Sequence, residues 1–389
     1  ASGTSTNILT AAGTSFPVTI TAVNSNGDIT PNYEETATLS ATNVDPAGGV
    51  TGDLGVGEVS FNNGTATFNQ TYNEVGIMTL AANDNDYLGY AISGSSSAIG
   101  RFIPASFKII SASTIDGILN DADNLFSYYG HAIDGYATNP SFVIEALASD
   151  GSRTENYRDG YFKLTEAGLS FNLPTADKNV ASQPISISRV PATLIPHNDG
   201  TATYLFGEDQ TTYTRPASPA APLTHPEFDF AVTQIDDNET STTVSESIPV
   251  TGGTELRYGR LVIDDSFGPE TEPVDLPLRA EFWDGGSWQL NVLDSNTGYS
   301  YAKTETSITT TETSTLAISS GVDRITLTPA ADPPAPGGEV EVSIVAADWL
   351  KFDWDADPTT AETGPTATAT FGIYRGRDNV ISWEELPVN

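Results

Sequence analysis

The chain of 389 residues contains no cysteine. That absence excludes a disulfide framework, a thiol nucleophile, an iron–sulfur cluster and a cysteine-ligated zinc. Basic side chains are scarce, 16 against 51 acidic ones, and residues 1–100 hold no lysine or arginine. The resulting formal charge of −35 argues against a nucleic-acid binder, which needs clustered cations to displace counterions from phosphates. No apolar run approaches the ~18 residues of a membrane-crossing helix. Methionine occurs once and only 17% of residues are charged, whereas glycine (34) and proline (24) are frequent, so long helices are disfavoured. The opening Ala1-Ser2-Gly3-Thr4-Ser5 has neither the charged nor the apolar part of a signal peptide. The chain is therefore expected to be a mature product or a piece of a longer one.

Core material is nevertheless present, with 38% hydrophobic residues including 16 Phe, 15 Tyr and 5 Trp. Thr, Val, Ile and Tyr recur in short alternating runs punctuated by Asn-Gly, Asp-Gly and Gly-Gly, which read as strands joined by tight turns. The length suits two to four domains of ~100–200 residues each. The expected class is all-β, built of tandem immunoglobulin-like sandwiches.

An internal repeat organises the chain. Ile20-Thr21-Ala22-Val23-Asn24-Ser25-Asn26-Gly27, continuing to Thr30-Pro31-Asn32-Tyr33, aligns with Ile144-Glu145-Ala146-Leu147-Ala148-Ser149-Asp150-Gly151, continuing to Thr154-Glu155-Asn156-Tyr157, at an offset of 124 residues. Asn62-Asn63-Gly64-Thr65-Ala66-Thr67-Phe68 aligns with Asn198-Asp199-Gly200-Thr201-Ala202-Thr203-Tyr204 at an offset of 136. Two ordered matches imply a duplicated unit. The expected domains are 1–103, 104–248 with insertions at 113–124 and 215–226, and a different sandwich at 249–389. Residues 236–248 are polar and acidic and read as a linker or solvated loop.

No signature of catalysis emerges. His131, His197 and His225 lie far apart without metal spacing, and neither a Gly-x-Ser-x-Gly elbow nor a phosphate-binding Gly-x-x-x-x-Gly-Lys sequence occurs. A glycosidase-type carboxylate pair stays open, because any two of 51 acids could supply one. The expectation is a non-enzyme. Calcium is the cofactor to consider, since Asp353-Trp354-Asp355-Ala356-Asp357 places three carboxylates at alternate positions. Asp121 and Asp123 form a second acidic cluster. Neither is an EF-hand; Pro358 stands where the sharp-turn glycine belongs. All five tryptophans fall in the last region. Trp283 and Trp349 read as core, whereas Trp288, Trp354 and Trp383 lie beside polar turns and are candidates for stacking on a sugar ring. Arg260, Arg279 and their neighbours are expected to pair with Asp264, Asp265 and Glu281.

Four ordered segments of this region carry a resemblance. They are Leu256-Arg257-Tyr258-Gly259-Arg260-Leu261, Leu276-Pro277-Leu278-Arg279-Ala280-Glu281-Phe282-Trp283-Asp284-Gly285, Asp348-Trp349-Leu350-Lys351-Phe352-Asp353-Trp354-Asp355, and Ala369-Thr370-Phe371-Gly372-Ile373-Tyr374-Arg375-Gly376-Arg377-Asp378. Together with Arg101-Phe102-Ile103-Pro104 and Asn156-Tyr157, they resemble MshQ-type proteins, which are encoded with the mannose-sensitive haemagglutinin (MSHA) type IV pilus. The resemblance implies an exported cell-surface or pilus-associated protein of a Gram-negative bacterium with an adhesive, pilus-tip or assembly role. Implied partners are pilus components and a host glycan, surface glycan or abiotic surface. It carries over no catalytic residue. It also implies a cysteine near Asp294-Ser295-Asn296-Thr297, where this chain has none, so packing, hydrogen bonds or metal must staple that segment. Two other readings remain: passive stalk domains presenting an upstream ligand-binding domain, and a carbohydrate-active enzyme.

Overall fold

A computed structural model describes residues 7–120, 125–306, 308–330, 338–357 and 359–372. Among them there is no α-helix, only strands and three single 3-10 turns, Asp159–Tyr161, Glu166–Gly168 and Asp348–Leu350. The architecture is three tandem immunoglobulin-like β-sandwiches.

In the first sandwich, alternation decides which face is buried. Phe16–Thr21 turns Phe16, Val18 and Ile20 inward and leaves Thr19 and Thr21 exposed. It pairs with Thr65–Gln70 and faces a larger sheet in the order Thr10–Ala11, Ile99–Ile103, Gly76–Tyr87, Thr36–Asp45, Glu58–Ser60. Phe16, Tyr72 and Phe102 meet ring to ring between the layers, with Met78 and Leu80 beside them. Each such side chain contributes roughly 1.5–3 kcal/mol by leaving water.

The second sandwich opposes a sheet of Thr193–Pro196, Thr201–Leu205, Ser141–Leu147 and Ser106–Ile115 to one that includes Leu169–Asn172, Glu227–Asp236 and Ser241–Gly252. The linker expected at 236–248 is instead mostly strand. Ser241–Gly252 pairs along Glu227–Asp236, and Ile248 and Val250 are wholly buried. Its polar residues alternate with inward apolar ones, and a two-sided environment hid the pattern. The core also continues past 248, to Leu256 and Tyr258.

The repeat is the same local structure built twice. Ile20 stands opposite Ala66, and Ile144 stands opposite Ala202, the two pairings that the 124- and 136-residue offsets map onto one another. Ala22 N–H donates to Gly64 O and Ala146 N–H to Gly200 O, both at 2.8–3.0 Å. Each glycine has a positive φ, 76° and 81°, and a Cβ there would lie 2.3 or 2.1 Å from the carbonyl oxygen of Thr30 or Thr154. Only glycine lets the chains approach so closely.

The third sandwich sets Gly259–Ile263, Val274–Trp283, Val322–Pro329 and Thr310–Thr313 against Ser266–Gly268, Thr366–Phe371, Glu339–Val345 and Ser300–Glu305. Its core borrows from the second. Phe126–Tyr128, which follows the 113–124 insertion, runs parallel to Glu255–Arg257 and inserts Phe126 and Tyr128 among Leu261, Leu278 and Leu350.

Both junctions are stapled. Between the first two sandwiches, buried Glu74 accepts the backbone N–H groups of Val75, Glu155 and Asn156 at 2.8–3.0 Å. Asn156 exchanges two hydrogen bonds with the backbone of Val50, and Arg101 pairs with Glu239 at 2.6 Å. Between the second and third, Arg215 pairs with Glu362, donates to Lys351 O at 2.7 Å and lies 4.2 Å over the Tyr258 ring. Arg215, at the head of the proline-rich insertion 215–226, thus acts as a brace.

Candidate ligand-binding face

The aromatic feature of the third sandwich is assembled by a hairpin and a distant loop. Asp284 Oδ1 accepts the N–H groups of Gly286 and Ser287, closing a tight turn in which Gly285 has φ 107°. These bonds hold the Asp284 carboxyl below its usual pKa. The turn sets Trp283 directly opposite Trp288 across the hairpin, with ring centroids 5.6 Å apart.

From Trp288 the contacts continue outward. Phe352 meets Trp288 edge-on at 5.3 Å, and Trp354 meets Phe352 at 5.2 Å. Phe352 is fixed by backbone bonds in both directions with Thr363, and Trp354 Nε1 donates to Thr363 O at 3.3 Å. Trp288 and Phe352 are half-buried, while Trp354 is 41% exposed. The result is a ladder of rings from core to solvent.

A cation underlies it. The Arg260 guanidinium sits 3.9 Å from the centroid of Trp288, 5.0 Å from Phe352 and 5.2 Å from Trp354. Glu281 fixes it through Nε and Nη2 at 2.9 and 2.7 Å. Cation–π attraction of this kind contributes about 0.5–2 kcal/mol per ring and sets the ring planes. Arg279 pairs with Glu281 and Asp264, as the local carboxylates imply, whereas Asp265 accepts the N–H of Thr368.

The structure brings Trp288 and Trp354 into one cluster and leaves Trp283 and Trp349 half-buried at the margins of two cores. Trp383, Asp121 and Asp123 lie outside the described residues. The carboxylates flanking Trp354 are engaged in their own turns. Asp355 accepts Asp357 N–H and the Thr360 hydroxyl at 3.0 Å, and Asp357 accepts the N–H and hydroxyl of Thr359 at 2.9 and 2.7 Å. Both carboxyls are held below their usual pKa by these donors. Asp353 lies beside them, half-buried. Among the described residues no three acidic or histidine side chains converge as a metal site requires. His197 Nε2 lies 2.8 Å from the Thr203 hydroxyl, His225 is exposed, and His131 stacks on Trp349.

Sequence reasoning missed Arg260 and Phe352 as members of this face. Their one signal is position: Arg260 stands directly opposite Glu281 across the sheet, and Phe352 stands two residues before Trp354.

The chain belongs to the DUF6701 family. Residues 1–71 match its second domain, 74–255 its third and 257–386 its fourth, in order. No curated protein matches it. Among solved structures it is similar to the Escherichia coli adhesin FdeC, at 12% identity over 94% of this chain and 95% of that one, with TM-score 0.31. It is also similar to the I9–I11 tandem of titin, at 8% identity over 93% and 94%, with TM-score 0.24. An endo-fucoidan hydrolase of glycoside hydrolase family 107 matches at 14% identity over 94% of this chain and 43% of that one, with TM-score 0.18. No helix of the described residues is long and apolar enough to cross a membrane.

Proposed function

We propose that this chain is an extracellular, surface-attached protein that works by contact rather than catalysis, with the Trp288–Phe352–Trp354 ladder as its adhesive face. One observation carries the reading: ring faces graded from buried to exposed, locked by Arg260 and Glu281, ending at an open Trp354. A fixed aromatic surface loses little entropy on binding and stacks on the apolar face of a sugar ring. Carboxylates and hydroxyls around it, at Asp355, Asp357 and Thr360, can accept sugar hydroxyls at the rim. The braced junctions support the same role, since a stiff series of sandwiches carries a contact surface away from its attachment point. The finer setting, an MSHA-type pilus with pilus components as partners, rests on the sequence resemblance and is part of the proposal.

The test is attachment of the purified chain to immobilised polysaccharides. Trp354→Ala is expected to weaken binding about tenfold, or roughly 1.4 kcal/mol, while the chain stays folded with a modestly lower melting temperature, since the ring also meets Phe352 and Arg260. Unchanged attachment would favour passive stalk domains, and polysaccharide turnover would favour an enzyme.

A further inference from the structure

A second feature lies on a different part of the molecule, at the seam of the second and third sandwiches. A cavity of about 250 Å³ opens between the Phe126–Tyr128 strand and the 294–298 loop, with His131 and Trp349 on its wall. Its frame is rigid. Tyr128, 4% exposed, donates its hydroxyl to Asp294 Oδ2 at 2.7 Å and accepts Asn291 Nδ2 at 2.7 Å. Asp294 also receives Thr297 Oγ1 at 2.7 Å, Thr297 N–H at 3.0 Å and Asn296 N–H at 3.4 Å. A carboxylate met by four donors has its charge compensated and its lone pairs occupied, so it is a poor anchor for a cation. No lysine or arginine lines the cavity to hold an anion, and the chain's net charge of −35 repels one.

What remains is a mixed lining whose one carboxylate already has its donors. The rings of His131 and Trp349 lie 4.5 Å apart and tilted by 55°, forming an apolar wall. The Ser127 hydroxyl, 2% exposed, is already taken up by His131 Nδ1 at 3.2 Å, which leaves the amide side chain of exposed Asn296 as the open polar group of the lining. A guest that carries hydroxyls can pair with that amide. The volume falls just below the ~300–1,000 Å³ of clefts that enclose drug-sized ligands, which suits a single ring bearing hydroxyls.

We infer that this seam cavity binds one neutral monosaccharide unit, its apolar face against Trp349 and its hydroxyls toward Asn296. Because its walls come from both sandwiches, an occupied cavity also fastens the seam and raises the melting temperature with ligand concentration. The site is separate from the Trp288–Phe352–Trp354 face and stands or falls without it.

The experiment uses the whole chain and saturation-transfer NMR with titration of methyl glucoside, methyl galactoside, methyl mannoside and N-acetylglucosamine, against glucuronate and glycerol. Saturable binding of at least one neutral sugar is expected, with glucuronate about tenfold weaker and glycerol not saturable. Asn296→Ala, which keeps the backbone donor to Asp294, and Trp349→Ala should each weaken binding about tenfold. Asn296→Ala stands alone if the tryptophan variant does not fold. No saturable neutral sugar, binding unaffected by Asn296→Ala, or glucuronate bound as tightly would each overturn the inference. So would loss of binding on Trp354→Ala instead, which would move the sugar to the aromatic face.

Discussion

Among the described residues, seven tyrosines donate their hydroxyls to aspartates: Tyr33 to Asp84, Tyr128 to Asp294, Tyr136 to Asp209, Tyr157 to Asp237, Tyr161 to Asp45, Tyr213 to Asp177 and Tyr299 to Asp323. With 51 acids and 16 bases, most carboxylates must find donors other than cations, and tyrosine supplies one on an apolar body. Burial and the neighbouring carboxylate hold these phenols above their usual pKa, so they remain donors. Tyr157 is the richest case, because its oxygen also accepts the N–H groups of Lys163 and Leu164 at 3.1–3.2 Å. Tyr157→Phe should therefore cost about 1.5–3 kcal/mol in denaturant unfolding, leaving Oδ2 of buried Asp237 and the N–H groups of Lys163 and Leu164 without their partner. Glu74 gives a pH signature. Its burial outweighs three backbone donors and pushes its pKa up to about 7, with Glu155 adding repulsion. The folded chain then holds a proton that the unfolded chain releases near 4.5, so stability falls as pH rises from about 4.5 to 7, by at most on the order of 3 kcal/mol. Melting in that window should lose this slope in Glu74→Gln. Glu305 works the other way. The Lys303 ammonium and the Thr310 donors hold it down at about 2, so its contribution is full above 4.5 and lost as pH falls toward 2.

Among elements, the duplicated hairpin is the best-determined. Its two copies need glycine at the same place, because the close approach to Thr30 or Thr154 leaves no room for a Cβ at positive φ. Gly64→Ala and Gly200→Ala should each destabilise by more than about 1 kcal/mol, and a control change at Gly57, where nothing lies within 4 Å, should not. Equal effects at all three positions in thermal melts would contradict this account. The Asn-Gly and Asp-Gly signals made these hairpins legible from the sequence. The Ser241–Gly252 strand was not legible, since serines, threonines and glutamates masked its inward residues until Ile248.

For the whole molecule the decisive features are the junctions. The third sandwich is held to the second by the Phe126–Tyr128 tongue, the Asp294 staple and the Arg215 brace. Arg215→Ala removes an ion pair, a backbone bond and a cation–π contact that all cross to the third sandwich or its entry strand. Limited proteolysis of that variant should cut within 215–226 faster than in the parent, while the first junction, held by Glu74 and Asn156, stays resistant. Cleavage at equal rates would mean that the tongue alone suffices.

By itself the sequence determined the β class, the repeat and its turns, because alternation and glycine placement act over a few residues. It also singled out Trp288 and Trp354, beside polar turns, as candidates for stacking on a sugar ring. Only the tertiary structure decided that these two, 66 positions apart, meet through Phe352 over Arg260, and that Arg215 of the proline-rich insertion braces the seam. Those outcomes depend on which strands become neighbours across the sheets and on which loops cross a domain seam. Local periodicity carries no record of either.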